Sequence, residues 1–351
     1  MITPIKSLDR KLKRLLAGSQ DLADFIIADA KDADMAFGIQ APGPQRSAHC
    51  PHGFDARQGC YKTLREYQAQ IREVIAQKIV DIVLLSASNL ERLGMEEGLF
   101  KNSPITPAAR ANDTTDVWAV RGGQYLSQPS RHFRSASIDH IKYGKLESNP
   151  NRPFIGADLG LYSVTFTNDL DHDHASLEAF HDFRIEAERK KFRYFLEVFN
   201  PNVDPGMPPE QVGSFLNDSI IRCLAGVTRS GRPVFLKIPY NGPGPLEELV
   251  AYDSRLVVGI LGGSAGTTRD AFQLIHDASQ YGAKVALFGR KINLSEHPLL
   301  FIELLRRVVD REITPADAVA YYHDAMKKEG IQPIRSLEQD QLVTENAMKY
   351  Q

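Results

Sequence analysis

A glutamate and a lysine stand forty residues apart in two otherwise apolar, strand-like segments, Tyr194-Phe195-Leu196-Glu197-Val198-Phe199 and Pro233-Val234-Phe235-Leu236-Lys237-Ile238-Pro239-Tyr240. Burial disfavours the ammonium form of a lysine, so such a position favours the neutral amine. A neutral amine adds to carbonyl groups and forms Schiff bases. A carboxylate one strand earlier can move protons around that adduct. Taken singly, each residue has a plainer reading: a strand-end lysine in a salt bridge, and a strand-end carboxylate capping a loop. Their shared chemistry depends on the fold bringing them to one place.

The elements that must position them alternate along the chain. Strands are expected at Phe25–Ala30, Val80–Ser86, Ile105–Ala111, Leu159–Phe166, the Glu197 and Lys237 segments, Arg255–Leu261 and Lys284–Phe288, with Pro107 weakening the third. Helices are expected at Leu8–Leu16, Leu64–Lys78, Ala175–Phe192, Pro209–Leu224, Thr268–Tyr281, Leu299–Val309 and Pro315–Lys328. Eight strands, each followed by a helix or a long excursion, call for a parallel sheet. Their number and spacing suit a closed (β/α)8 TIM barrel better than an open Rossmann sheet. No G-x-G-x-x-G follows the first strand, which argues against dinucleotide binding. One barrel domain over residues 1–335 is expected, with long insertions in the first and third βα loops, the latter at about 112–153. A polar, loosely held tail follows at 336–351.

The totals limit the partners. The chain has 351 residues, 42% of them apolar and 25% charged, with a formal net charge of −2. That balance offers no general attraction to nucleic acid or an anionic membrane, so any phosphate site must be local. Three cysteines, Cys50, Cys60 and Cys223, make no disulfide framework. The N-terminus lacks the apolar core of a signal peptide, and no apolar run reaches the roughly 18 residues of a membrane helix. A cytoplasmic protein is expected.

Functional groups of a barrel gather at the C-terminal ends of its strands. Asp29, Glu197 and Lys237 fall there. So do Gly262-Gly263-Ser264-Ala265-Gly266-Thr267-Thr268, which opens into a helix, and Phe288-Gly289-Arg290-Lys291. Free N–H groups at a helix start make an anion seat, and a guanidinium adds bidentate phosphate contact. The plainer reading of the first segment is an N-cap at Thr267 or Thr268.

From about Arg184 onward the chain resembles the class I aldolases of the tagatose-1,6-bisphosphate aldolase type, in the wider group with deoxyribose-phosphate and archaeal-type fructose-bisphosphate aldolases. The matching segments are Phe195-Leu196-Glu197-Val198, Val234-Phe235-Leu236-Lys237-Ile238-Pro239, Gly263-Ser264-Ala265-Gly266 and Gly289-Arg290, in the family's order and spacing. Asp116-Val117-Trp118 and Ile27-Ala28-Asp29-Ala30-Lys31 also match. The resemblance implies that Lys237 is the Schiff-base lysine and Glu197 the acid/base. It implies that Asp29 orients a substrate hydroxyl or transfers a proton. Lys31, Gly263, Ser264, Ala265, Gly266, Gly289 and Arg290 would bind substrate and its phosphate. It also implies an aldehyde-lyase acting on a sugar phosphate, with no metal and no cofactor beyond the covalent imine. Leu161 stands where the family carries a fourth-strand lysine, so an auxiliary cation is expected to be missing. Lys31 stands where an arginine is expected.

Two histidine-bearing segments carry competing readings. His49-Cys50-Pro51-His52 with Cys60 has donor types suited to zinc, but its spacing matches no standard motif, and a lid over the site is the simpler expectation. Asp169-Leu170-Asp171-His172-Asp173-His174, with His181, reads more simply as an acidic loop leading into a helix than as a metal centre. Tyr125, Arg131, His132 and Arg134 lie in the long insertion, where they would recognise an anion or coat the surface. Three functions follow: a class I aldolase, a metal-dependent lyase on the same barrel, or a catalytically degenerate barrel that binds ligand. A small-molecule sugar phosphate is the expected partner, with association of copies of the chain also open.

Overall fold

The computed structural model describes residues 5–45, 61–147, 149, 151–262 and 266–349. Among these residues are ten strands: β1 (Ile26–Lys31), β2 (Ile82–Leu85), β3 (Thr106–Arg110), β4 (Asp113–Thr114), β5 (His132–Phe133), β6 (Leu159–Thr165), β7 (Arg193–Phe199), β8 (Leu236–Ile238), β9 (Val258–Leu261) and β10 (Val285–Phe288). Eight close into a parallel barrel in the order β1-β10-β9-β8-β7-β6-β3-β2, while β4 and β5 form a separate antiparallel pair in the insertion. The expected (β/α)8 barrel is present.

Pro107 sits inside β3 without breaking it. Thr106 N–H donates to the Asp81 carbonyl on the β2 side, so the alternate N–H at position 107 would face β6. β6 pairs with β3 only at Ala109 and Arg110, beyond the proline. The donor that proline lacks therefore has no partner to lose.

Alternation along each strand separates two cores. Ile26, Ala28, Ile82, Leu84, Leu161 and Phe195 fill the lumen, where Leu8, Leu12 and Leu15 of the helix Ser7–Leu16 join them. Outward residues such as Ile27, Val83, Tyr162, Leu196 and Ile260 pack beneath the surrounding helices. Each fully buried aliphatic or aromatic side chain contributes about 1.5–3 kcal/mol of burial free energy. Phe195 and Phe235 stack at 4.6 Å between centroids, filling the lumen one inward position before Glu197 and Lys237.

Several elements differ from expectation. The helix expected from Ala175 begins at Leu170 and runs to Arg189, because Asp169 accepts from His172 N–H and Asp171 and Asp173 lie in its first turn. A carboxylate cap and acidic first-turn residues favour a helix start, which converts the supposed loop into helix. The helix Pro243–Tyr252 between β8 and β9 was not anticipated from the sequence. Its signal was proline in the first turn after Gly242, which adopts φ 97°.

The C-terminal segment is docked rather than loosely held. Thr268 N–H donates to Asp340 Oδ1 at 2.8 Å, Thr267 Oγ1 to the Leu342 carbonyl at 2.6 Å, and Thr344 N–H to Asp270 Oδ1 at 2.7 Å. His323 Nε2 lies 3.0 Å from Asp340 Oδ2, and Met348 is buried. The tail is polar because its polar groups complete the start of the helix Thr268–Gln280. Among the described residues no helix is long and apolar enough to cross a membrane.

Candidate active site

β7 and β8 pair in register with Glu197 opposite Lys237. Both residues share the inward parity of Phe195 and Phe235, so both side chains enter the lumen near its C-terminal rim. Lys237 Nζ contacts Glu197 Oε1 directly, and both side chains are buried. The other glutamate oxygen accepts from Ser163 Oγ at 2.7 Å. Asn112 clamps the Ser163 backbone, donating to its carbonyl at 2.8 Å and accepting from its N–H at 2.6 Å. Both carboxylate oxygens are thus directed by named partners, as a preorganised proton-transfer group requires.

A cavity of about 230 Å³ opens above this pair. Its wall includes Ala30 and Asp32 after β1, Arg110 of β3, Asp116, Phe199, Gly262, Gly289 and Arg290. Gly289 allows a close approach: a Cβ there would stand 2.9 Å from the Ala30 carbonyl oxygen. Arg290 Cζ lies 5.9 Å from the centroid of Phe37.

Arg110 supplies a cation that the sequence reading did not anticipate. Its Nε donates to Asp32 Oδ2 at 2.6 Å, Nη1 donates to Ser163 Oγ at 3.2 Å, and Nη2 stands 3.7 Å from Glu197 Oε2. Burial opposes its charge, but Asp32, Glu197 and Asp113 outweigh burial and hold the guanidinium protonated above its ordinary range. Leu161 of β6 does occupy the lumen, yet a cation reaches the glutamate from β3, on the far side of β6. A charged residue closing the apolar run Thr-Pro-Ala-Ala was the available signal.

Asp29 and Lys31 lie on the other face of β1. Ala28 and Ala30 point into the barrel, so Asp29 and Lys31 point outward, and neither lines the cavity. Lys31 Nζ is 3.1 Å from Asp29 Oδ2 and donates to Asn293 Oδ1. Burial pushes the Asp29 carboxyl upward, partly opposed by Lys31. The inward carboxylate is Asp32, just beyond the strand. All six β1 residues are buried, so polarity could not reveal which face was which.

Gly289 and Arg290 line the cavity, and Gly262 joins them from the β9 side. The Gly266 carbonyl accepts from Lys291 Nζ. Gly263, Ser264 and Ala265 lie outside the described residues, as do His49, Cys50, His52 and Cys60. Thr267 caps the helix Thr268–Gln280 in a reciprocal capping box with Asp270.

The histidines near β6 have local partners. His172 Nδ1 is 2.7 Å from Asp169 Oδ1, His174 Nε2 is 3.8 Å from Glu178, and His181 Nδ1 is 3.4 Å from Asp182. Among the described residues no group of three or more His, Cys, Asp or Glu side chains converges as a metal-binding set. In the insertion, Trp118 stacks on Tyr125 at 4.5 Å, and Arg134 is turned away to Glu186 at 2.6 Å.

The fold and this rim define a (β/α)8 barrel carrying a buried lysine–carboxylate pair. Solved structures share that architecture. An archaeal fructose 1,6-bisphosphate aldolase superposes with a TM-score of 0.58 at 14% identity, covering 87% of this chain and 99% of that one. A fructose-bisphosphate aldolase from Slackia heliotrinireducens gives 0.61 at 12% identity, covering 91% and 90%. A structure of a Schiff-base-forming fructose-1,6-bisphosphate aldolase gives 0.58 at 13%, covering 86% and 99%. No protein-family model matches the chain, and no curated protein matches it in sequence. The likeness is one of fold.

Proposed function

We propose that this chain is a Schiff-base lyase, a class I aldolase that makes or breaks a carbon–carbon bond in a phosphorylated ketose or related carbonyl compound. The observation that carries this reading is the direct contact of Lys237 Nζ with Glu197 Oε1 inside the cavity-lined rim. Lys237 attacks the substrate carbonyl carbon and forms a carbinolamine. The Lys237–Glu197 pair passes two protons from the nitrogen to the former carbonyl oxygen: the first makes the carbinolamine hydroxyl, the second, delivered by Glu197, protonates it, and water leaves as the iminium forms. The iminium then accepts the electron pair of the adjacent carbon–carbon bond while a carboxylate takes the proton of the cleaved hydroxyl. An aldehyde departs, leaving an enamine that is reprotonated and hydrolysed. Asp32, Asp116 and Glu197 are the carboxylates that line the cavity and are at hand for that proton. Arg290, with Gly289 beside it, supplies a phosphate contact. No step calls on a metal. The reading includes a cytosolic setting, where sugar phosphates are found.

The test is intact-protein mass after incubation with sugar phosphates and borohydride. A reduced adduct is expected with the native chain and none with Lys237→Ala. Trapping or cleavage that persists in the folded variant overturns the mechanism.

A further inference from the structure

The cavity is polarised. Six ionisable side chains line it: Asp32, Arg110, Asp116, Glu197, Lys237 and Arg290. Four are matched in pairs. Lys237 meets Glu197, and Arg110 meets Asp32 at 2.6 Å. Two are left without an ionic counterpart among the described residues. Arg290 touches the Phe37 ring, and Asp116 accepts only from neutral hydroxyls, Ser130 Oγ and Thr165 Oγ1, each at 2.8 Å.

These two unmatched charges lie on opposite sides of Lys237. Around the barrel from β8, one direction leads through β9 to β10 and Arg290. The other leads through β7 and β6 to β3, beyond which Asp116 lies, bonded to the end of β6. A substrate fixed at Lys237 therefore meets a free guanidinium at one end and a carboxylate at the other. Arg110 does not change this, because Asp32 and Glu197 already hold its guanidinium.

We propose that the substrate is a ketose-like carbonyl compound with a single phosphate, bound toward Arg290, whose opposite end is not phosphorylated. A second phosphate would face Asp116, and like-charge juxtaposition in a confined site is a strong selector against a ligand. A hydroxylated end instead finds carboxylate acceptors. The inference rests on the Schiff-base reading of Lys237, and it separates this chain from the bisphosphate aldolases whose fold it shares.

The test uses Lys237→Gln, which cannot form an imine and keeps a hydrogen-bonding partner for Glu197. Calorimetric affinities are compared for fructose 1-phosphate, fructose 6-phosphate and fructose 1,6-bisphosphate. At least one monophosphate is expected to bind about tenfold more tightly than the bisphosphate. Equal or tighter bisphosphate binding overturns the proposal, and so does failure to bind any of the three. Adding Asp116→Asn should shrink the ratio several-fold, whereas Asp116→Glu should preserve it. A ratio indifferent to Asp116→Asn in a folded protein also overturns it. Borohydride trapping on the native chain is read separately. Its absence would sink the imine reading while the affinity order still reports on the pocket.

Discussion

The guanidinium of Arg110 stands 3.7 Å from Glu197 Oε2, so β3 delivers a cation to a carboxylate presented by β7 across the intervening β6. Ser163 of β6 bridges the two, accepting from Arg110 and donating to Glu197. The glutamate thus lies between Lys237 on one side and an arginine–serine pair on the other.

Arg110→Ala should destabilise the fold by about 3–5 kcal/mol, because Asp32 loses its only ion-pair partner among the described residues while buried. Arg110→Lys should recover part of that loss. Denaturant unfolding checks both, with equal midpoints for the native chain and the alanine variant counting against the pairing.

Glu197→Gln keeps the shape of the side chain and removes its basicity. Turnover of a trapped substrate should fall by about 10²–10⁴-fold, the usual contribution of a positioned acid/base. Single-turnover kinetics would check this, and an unchanged rate would transfer the proton work to another group.

Arg290→Ala should weaken binding of a phosphorylated substrate with little effect on the fold, since the residue is exposed. Loss of one charge-assisted hydrogen bond is worth about 1.5–3 kcal/mol, or roughly ten- to a hundredfold in affinity. Comparing phosphorylated with unphosphorylated carbonyl compounds separates this effect from general damage.

Asp113 offers a pH prediction with a definite sign. Burial pushes its carboxyl up to about 6, against the opposing pull of Arg110. The folded state therefore binds more protons than the unfolded state between the ordinary carboxyl pKa of 3.8 and about 6, and stability falls as pH rises through that window. Asp113→Asn should melt higher than the native chain at neutral pH, and the difference should close in acid. A gap that does not change with pH would contradict the assignment.

Asp340 behaves in the opposite way. Burial works against its charge, but hydrogen bonds from Thr268 and His323, with Lys291 nearby, outweigh burial and hold its carboxyl below the usual range. Its contribution is present above the unfolded pKa and fades as pH falls through the lower folded value. Asp340→Ala should cost about 0.5–2 kcal/mol at neutral pH, as for loss of a helix cap. Thermal melts across pH would show the cost shrinking in strong acid.

The chain's own order of residues determined the barrel: short apolar runs alternating with amphipathic helices leave a parallel sheet few other ways to close. Glu197 and Lys237 were legible because each interrupts an apolar strand, and Gly289-Arg290 because glycine and arginine follow a strand end. Tertiary structure decided the rest. In β1 both faces are buried, so local pattern could not show that Ala30 and Asp32 face the cavity while Asp29 and Lys31 face the helices. The Arg110–Ser163–Glu197 contact joins three strands distant in sequence, and only closure of the sheet brings them within hydrogen-bonding reach. The tail's docking had the same cause: its polar residues look solvated in sequence, and only packing shows that they serve the end of another helix.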